Sequence, residues 1–192
     1  YSGANTLMID QTLLAHDQAQ FEQFAPYLWT PSVPEYGSFF RAELETLRDE
    51  GFLEAGQRVQ LLTADDEVAR RVVDTIARPF LADVGAAHVQ VDYIDDTDAG
   101  TIGASSASAI QSGKNANIER VITVGGARIL SIAMADFGMR DYDALFSMSS
   151  FDTPVFVEDN EDSLQSHRRS GMIGIGYNPS GDVATGRGPA FP

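Results

Sequence analysis

The sequence contains no cysteine and only three histidines, and these two shortages exclude several kinds of site. Without cysteine there are no disulfides, no thiolate nucleophiles and no cysteine-ligated zinc sites. The lack of cysteine does not determine the cellular compartment, because many exported proteins also lack cysteine. The histidines His16, His88 and His167 are scattered, and none follows a predicted strand. We therefore interpret them as surface or half-buried side chains rather than metal ligands or general bases.

Basic residues are also scarce. Lysine occurs once, at Lys114, and thirteen basic residues stand against twenty-eight acidic ones, which gives a formal net charge of −15. Nucleic acid is therefore not an expected partner, because its affinity comes largely from Lys and Arg on phosphates. An anionic membrane surface is disfavoured for the same reason. A solvated, self-repelling surface explains the acidity more simply than an acidic binding patch.

Long apolar runs are absent too. None approaches the roughly 18 residues that a membrane-spanning helix needs, and no basic region followed by an apolar core opens the chain. The sequence begins at Tyr1 without an initiating methionine. We therefore expect part of a longer polypeptide, which is either cytosolic or carries its signal segment outside the residues given. The 192 residues, of which 43% are hydrophobic and 21% charged, are typical of a globular protein.

A strand, a long helix and a second strand between residues 56 and 94 form the centre of the predicted fold. Residues 59–63 are an apolar run typical of a buried strand, and the acidic residues 65–67 begin the helix that follows. Apolar residues then recur at three- and four-residue steps until Gly85 ends the helix. The apolar run 88–94 is the second strand. This order predicts a right-handed βαβ unit with parallel strands.

The rest of the chain continues the alternation of helix and strand. We predict the end of a strand at 6–9, weak helical spacing at 11–24, an extended crossing segment at 26–32 and a helix that begins at Ser32 or Pro34. Further on we predict a helix at 103–118, strands at 120–125, 144–148 and 172–176, a helix at 129–137 and a polar helix or loop at 158–166. The sequence thus predicts a three-layer α/β/α sandwich around a mainly parallel five-stranded sheet. We divide it into an irregular segment (1–34), an α/β lobe (35–180) and a loop or frayed tail (181–192).

Ligands of open parallel sheets bind beyond the carboxyl ends of the strands, so candidate binding residues were sought there. The predicted ligand-binding residues are Thr63, Asp65, Asp66, Gly125, Gly126, Arg128, Ser149, Ser150 and Asp152. The backbone of Gly125 and Gly126 could hold an anion beside Arg128, although a tight turn also explains the glycines.

No catalytic residue, metal site or cofactor is predicted. The aspartates 92, 95, 96 and 98 lack the ligand pattern of a calcium loop, so we interpret them as a solvated acidic loop. Residues 61–67 with Arg70 resemble the opening of a phospho-accepting receiver domain. That chemistry needs an aspartate after the third strand, where this chain has Gly125 and Gly126, and a lysine after the fifth, whereas Lys114 lies in a predicted helix.

A second resemblance extends over most of the chain from about residue 26. Residues 26–32 (PYLWTPS), 58–71 (RVQLLTADDEVARR), 118–126 (IERVITVGG) and 171–179 (GMIGIGYNP) are similar, in order and spacing, to the middle of type I periplasmic binding proteins. The most similar group is the leucine/isoleucine/valine-receptor-like group, which serves ABC importers. The resemblance implies the second of two α/β lobes, with residues 27–34 entering from the first lobe and 174–179 returning to it.

The resemblance also implies a function. The protein would be a non-catalytic, extracytoplasmic receptor, periplasmic or held at the cell surface by a lipid anchor, that captures an amino acid or similar small carboxylated solute between its lobes. Its partners would be the solute, the missing first lobe of the same polypeptide and the membrane subunits of an ABC importer. Relatives usually have a tyrosine after the third strand of this lobe and an acid after the fourth. Here Ala127 and Arg128 follow the third strand, and Asp152 is the candidate acid. Arg128 fits either a contact with an anionic or carboxylated solute or a cap on a local acidic loop.

Two other classes of function stay open at this point. A small cytosolic α/β signalling domain or nucleotide-binding enzyme would have an initiating methionine shortly before Tyr1, whereas a receptor would have a secretory signal and another α/β lobe there. A sensor or scaffold with the same fold would differ only in having no affinity for a solute. The single tryptophan, Trp29, fits either a ligand platform or a structural aromatic.

Overall fold

The computed structural model describes residues 6–12, 14–95, 98–125, 142–152 and 172–176. Its elements, in chain order, are β1 (Met8–Ile9), α1 (Gln18–Phe24), β2 (Leu28–Trp29), α2 (Tyr36–Asp49), β3 (Arg58–Ala64), α3 (Glu67–Val72), a π-helical turn (Val73–Ala77), α4 (Arg78–Val84), β4 (His88–Ile94), α5 (Ala99–Asn115), β5 (Arg120–Val124), β6 (Leu145–Ser149), a 3-10 turn (Ser150–Asp152) and β7 (Ile173–Ile175). The predicted helix at 129–137 and the segment 158–166 lie outside the described residues.

Among the described residues, five strands form one sheet in the order β4-β3-β5-β6-β7, and every neighbouring pair of these strands is parallel. The chain runs from β3 to β4 on one side and then back past β3 to β5 on the other. Because parallel crossovers are right-handed, the helices of these two connections cover opposite faces of the sheet. On the α5 face, the side-chain amide of Gln60 in β3 donates to the carbonyl of Ala109 over 2.9 Å. The predicted three-layer α/β/α sandwich with a parallel five-stranded sheet is confirmed.

The long helix between β3 and β4 begins and ends close to the predicted residues. The Asp66 side chain caps its first turn by accepting from the backbone N–H of Ala69 over 2.8 Å. Gly85 ends it in the left-handed region, at φ 84°, which costs glycine little. The π-helical turn interrupts the helix just before Pro79, which has no N–H to donate to the carbonyl one turn earlier.

The N-terminal part is less helical than predicted. The spacing of residues 11–24 is weakly helical, but among the described residues of this stretch only Gln18–Phe24 is helical, after Asp17 accepts from the backbone of Gln20 over 3.0 Å. Before it, the Asp10 side chain accepts from the backbone of Thr12 over 2.8 Å, which favours a local turn instead of a helix. The parallel pairing of β1 with β2 was not predicted.

Two later helices also begin at residues set by their caps. Helix α2 begins at Tyr36, not at Ser32 or Pro34, because the Glu35 carboxylate accepts from the backbone of the next turn over 2.9 and 2.7 Å. Helix α5 begins at Ala99 and ends at Asn115, whereas the prediction was 103–118, because Asp98 caps its first turn. Among the described residues, no helix is both long enough and apolar enough to cross a membrane.

Candidate functional site

The sheet has a switch point at β3, where the strand order reverses between β4 and β5. In sheets of this order the ligand crevice lies at the carboxyl ends of the two strands beside the reversal. Thr63 of β3 is in register with Val124 of β5, so both strands end at the same place. Asp65 and Gly125 therefore leave adjacent strands at the same edge of the sheet. Two of the predicted binding segments come together here.

The turn at Gly125 is held by two helices. Its backbone N–H donates to the hydroxyl oxygen of Tyr36, at the start of α2. Its φ of 75° lies in the left-handed region, and a Cβ at this position would be 3.4 Å from Cβ of Ala69 in α3. Glycine is therefore required here for its backbone conformation and sits close to α3. The predicted residues Gly126 and Arg128, which follow it, lie outside the described residues.

The turn after β6 is organised by Asp152, which is buried instead of facing solvent. Its Oδ2 accepts from the hydroxyl of Thr123 over 2.7 Å, from the backbone N–H of Ser149 over 2.7 Å and from the hydroxyl of Ser149 over 3.0 Å. Only 2% of Asp152 is exposed. Burial raises the pKa of its carboxyl group to about 6, although these hydrogen bonds act in the opposite direction. Asp152 thus fixes the ends of both β5 and β6.

The remaining predicted side chains differ in how accessible they are. Thr63 is fully buried, and its hydroxyl donates to the carbonyl of Ala64 over 3.2 Å. Ser149 is buried with Asp152, and Ser150 is half-buried. Asp65 and Asp66 are exposed at the end of β3, where Asp66 caps α3. Of the predicted side chains that the structure describes, the two aspartates are the most exposed.

Sequence reasoning missed Glu43, an acidic residue buried below these turns. It lies on α2, is 1% exposed, and neither of its carboxylate oxygens has a hydrogen-bond partner among the described residues. Burial, and secondarily the negative charge of Asp152, raises the pKa of Glu43 well above its usual range. The same helix contributes Tyr36, whose ring packs edge-on against Phe151 at 4.9 Å between centroids. The sequence did contain a sign of this burial, because the helical spacing puts Glu43 on the apolar face of α2 beside Leu44.

Sequence reasoning also missed a cluster at the carboxyl ends of β3 and β4, formed by Asp65, Arg70 and Tyr93. Nε of Arg70 donates to Oδ1 of Asp65 over 2.7 Å, and the two side chains form an ion pair. The guanidinium carbon lies 4.2 Å from the centroid of the Tyr93 ring. The only sequence signal was an arginine one turn into the helix after an acidic strand end. The contact with Tyr93 depends on the pairing of β3 with β4.

The described residues contain no group of three His, Cys, Asp or Glu side chains able to hold a metal ion. Two aspartates of the acidic stretch 92–98, one in β4 and one just before α5, have other partners. Asp92 accepts from the amides of Gln60 and Gln90 over 2.7 and 2.6 Å. Asp98 caps α5, and its hydrogen bonds with Thr101 lower the pKa of its carboxyl group. These contacts give each of the two aspartates a local structural role.

Comparison with known proteins finds a solved structure of similar fold. The chain is similar to the crystal structure of a carbohydrate transporter from Acidothermus cellulolyticus 11B in complex with myo-inositol, with a TM-score of 0.53 and 15% sequence identity. The match covers 85% of this chain but 52% of the transporter, so the chain spans about half of that protein's length. No family model matches the sequence, and no curated protein matches it significantly. The likeness establishes a shared α/β fold built on a parallel sheet and nothing beyond the fold.

Proposed function

We propose that the chain is the second lobe of an extracytoplasmic solute-binding receptor, the substrate-binding component of an ABC importer. In this proposal residues 35–180 form the lobe, and residues 27–34 cross from a first lobe of the same polypeptide. The solute is captured in the cleft between the lobes and leaves it chemically unchanged. Within the type I binding proteins, the leucine/isoleucine/valine-receptor-like group is the proposed subgroup.

The observation that carries the proposal is the shared edge of the sheet. All five strands are parallel, so the segments after β3, β5 and β6 lie along one edge, which includes the switch point. The chain's share of the transporter's length, about half, supports one lobe rather than a complete receptor.

Capture would work by hinged closure. A solute that contacts both lobes stabilises the closed state, because it makes those contacts only when the lobes meet. On this lobe, Asp65 and the backbone of Gly125 are proposed to face the solute, and Gly126, Arg128 and Ser150 to complete the edge. Asp66 is proposed to lie beside them. The buried side chains of Thr63, Ser149 and Asp152 would act by positioning the turns.

Two observations favour two different classes of solute. Arg128, a cation after β5, favours an amino acid or another carboxylated solute. The solved structure of similar fold is a carbohydrate transporter in complex with myo-inositol, which favours a neutral polyol.

A thermal-shift screen of the natural full-length polypeptide tests the proposed function. The panel contains myo-inositol, D-ribose, D-glucose, L-leucine, L-glutamate and succinate. A solute that binds the native state adds about 2.7 kcal/mol of stability at a hundred times its Kd, which raises the melting temperature. Arg128→Ala should weaken binding of the solute found. The proposal fails if no panel member or related solute shifts the melting temperature, or if the protein converts the solute into another compound.

A further inference from the structure

The cluster of Asp65, Arg70 and Tyr93 places an oriented guanidinium group at the open edge of the sheet. Asp65 follows β3, Tyr93 is the second-last residue of β4, and Arg70 reaches back from the first turns of α3. The Arg70 side chain is held in place by the Asp65 carboxylate and the Tyr93 ring, yet 51% of it is exposed. A side chain that is both fixed and accessible loses little freedom when a ligand binds.

Both charged members of the cluster have unused hydrogen-bonding capacity. A guanidinium group has five N–H donors, and Asp65 engages Arg70 through Nε and Nη2. Among the described residues, Nη1 of Arg70 and Oδ2 of Asp65 have no partner. The cluster therefore offers donors and an acceptor side by side. Two neighbouring hydroxyl groups match this pattern, because each hydroxyl can donate and accept.

The charge around the cluster disfavours a second carboxylate. Arg70 is already paired with Asp65, and the exposed Asp66 and Glu67 follow directly. The other base of this helix, Arg71, is engaged by Asp17 and Glu67. Among the described residues around this cluster, an anionic solute would meet net negative charge, and closure would strengthen the repulsion as water leaves the cleft. Uncharged hydroxyl groups avoid that cost.

We propose that Asp65, Arg70 and Tyr93 form a solute-contacting subsite that selects a neutral polyhydroxylated solute, a cyclic polyol or a monosaccharide, over a carboxylated one. This inference rests on the proposed receptor function. One hydroxyl donates to Oδ2 of Asp65, and its neighbour accepts from Nη1 of Arg70. Tyr93 is a positioning residue, because its ring lies against the guanidinium and keeps it at the edge.

Isothermal titration of the natural full-length polypeptide with the six-member panel tests this inference. At least one of myo-inositol, D-ribose and D-glucose should bind, and Arg70→Ala should weaken that binding by about tenfold or more, as expected for the loss of a charged hydrogen bond. Arg70→Met, which keeps the aliphatic stem over Tyr93, should lose affinity similarly and replaces Arg70→Ala if that variant does not fold.

Arg48→Ala is the matched control. Arg48 is paired with Asp49, lies 5.5 Å from the centroid of the Phe80 ring and is 46% exposed, but it is in the last turn of α2, away from the carboxyl edge. Its removal should change affinity less than twofold.

The outcomes separate the two proposals. Tighter binding of L-leucine, L-glutamate or succinate than of myo-inositol, D-ribose and D-glucose would overturn the subsite and leave the receptor function standing. Binding of a neutral solute that the Arg70 variants do not weaken would overturn the assignment of these residues. If no panel member or related solute binds, the receptor function and the subsite fail together.

Discussion

The hydroxyl oxygen of Tyr36 accepts a hydrogen bond from the backbone N–H of Gly125, so a side chain at the start of α2 holds the turn that follows β5. Tyr36→Phe removes the acceptor and leaves that N–H without its partner. We expect the free energy of unfolding to fall by about 1–3 kcal/mol in urea titrations. Solute affinity of the full-length polypeptide should also fall, because the turn lies at the proposed cleft.

Tyr142→Phe is the control for that prediction. The Tyr142 hydroxyl donates to Oε1 of Gln60 over 2.6 Å beneath α5, so its loss should also reduce stability. It should not change solute affinity, because this bond is away from the carboxyl edge. Equal effects of the two substitutions on affinity would contradict a positioning role for Tyr36.

Gly125→Ala should reduce both stability and affinity. Its φ of 75° is unfavourable for alanine by about 1–2 kcal/mol, and relaxation would shift the turn at the switch point. Gly56→Ala makes a matched comparison, since Gly56 has a φ of 85° and open space around its Cβ position but precedes β3 at the opposite edge. Urea titration should show similar losses of stability, whereas calorimetry should show weaker binding only for Gly125→Ala. An unchanged affinity in Gly125→Ala would refute the placement of this turn in the cleft.

Replacing two glycines of α5 with alanine should change the stability of the protein in opposite directions. A Cβ on Gly113 would lie 2.7 Å from Oε1 of Gln60 and closer still to the Tyr142 hydroxyl, so Gly113→Ala should cost about 1–3 kcal/mol of stability. Gly103 has nothing within 4 Å of its Cβ position, and Gly103→Ala should stabilise the helix by up to about 1 kcal/mol. Thermal melts of both variants test the packing of α5 on β3. A stable Gly113→Ala protein would mean that this contact is wrong.

Stability should fall as pH rises from 5 to 7.5. Asp152, with a pKa of about 6 in the folded protein against an ordinary 3.8, binds its proton more tightly when folded, and so does Glu43. The native state therefore carries more protons than the unfolded chain in this window, and the loss from Asp152 alone is about 1 kcal/mol. Asp10 and Asp17 have lowered pKa values, so their opposite effect lies below this range.

Urea titrations at the two pH values test the prediction with Glu43→Gln and Asp152→Asn as variants. Each substitution removes a titrating carboxyl group and should make the pH dependence shallower. Stability that increases from pH 5 to 7.5, or a slope that neither substitution changes, would show that these carboxyl groups do not carry the effect.

The central βαβ unit was predictable because its signals are local. The apolar run of β3, the acidic cap at Asp66 and the left-handed glycine at Gly85 each act within a few residues, and the structure confirms all three. The weak helical spacing of residues 11–24 corresponds to a helix only from Gln18, again for a local reason, since Asp10 and Asp17 cap separate turns and Leu14 is 62% exposed.

The chemistry of the candidate site could not be read from local signals. Asp152 was predicted to bind a ligand as an acid after a strand, but it is buried and accepts a hydrogen bond from Thr123, 29 residues away in the sequence. Burial, and secondarily the negative charge of Asp152, makes the charged form of Glu43 unfavourable, and Arg70 meets Tyr93 only because β3 pairs with β4. Such contacts depend on strand order, which the apolar pattern alone does not specify.

The most direct test compares solute binding by the natural full-length polypeptide with binding by residues 1–192 alone, using calorimetry and chemical recovery of the solute. If this chain is half of a hinged receptor, the full-length protein binds one solute at a single saturable site and returns it unchanged, while residues 1–192 bind it far more weakly. Equal affinity of the two proteins, or recovery of a converted product, would contradict the account.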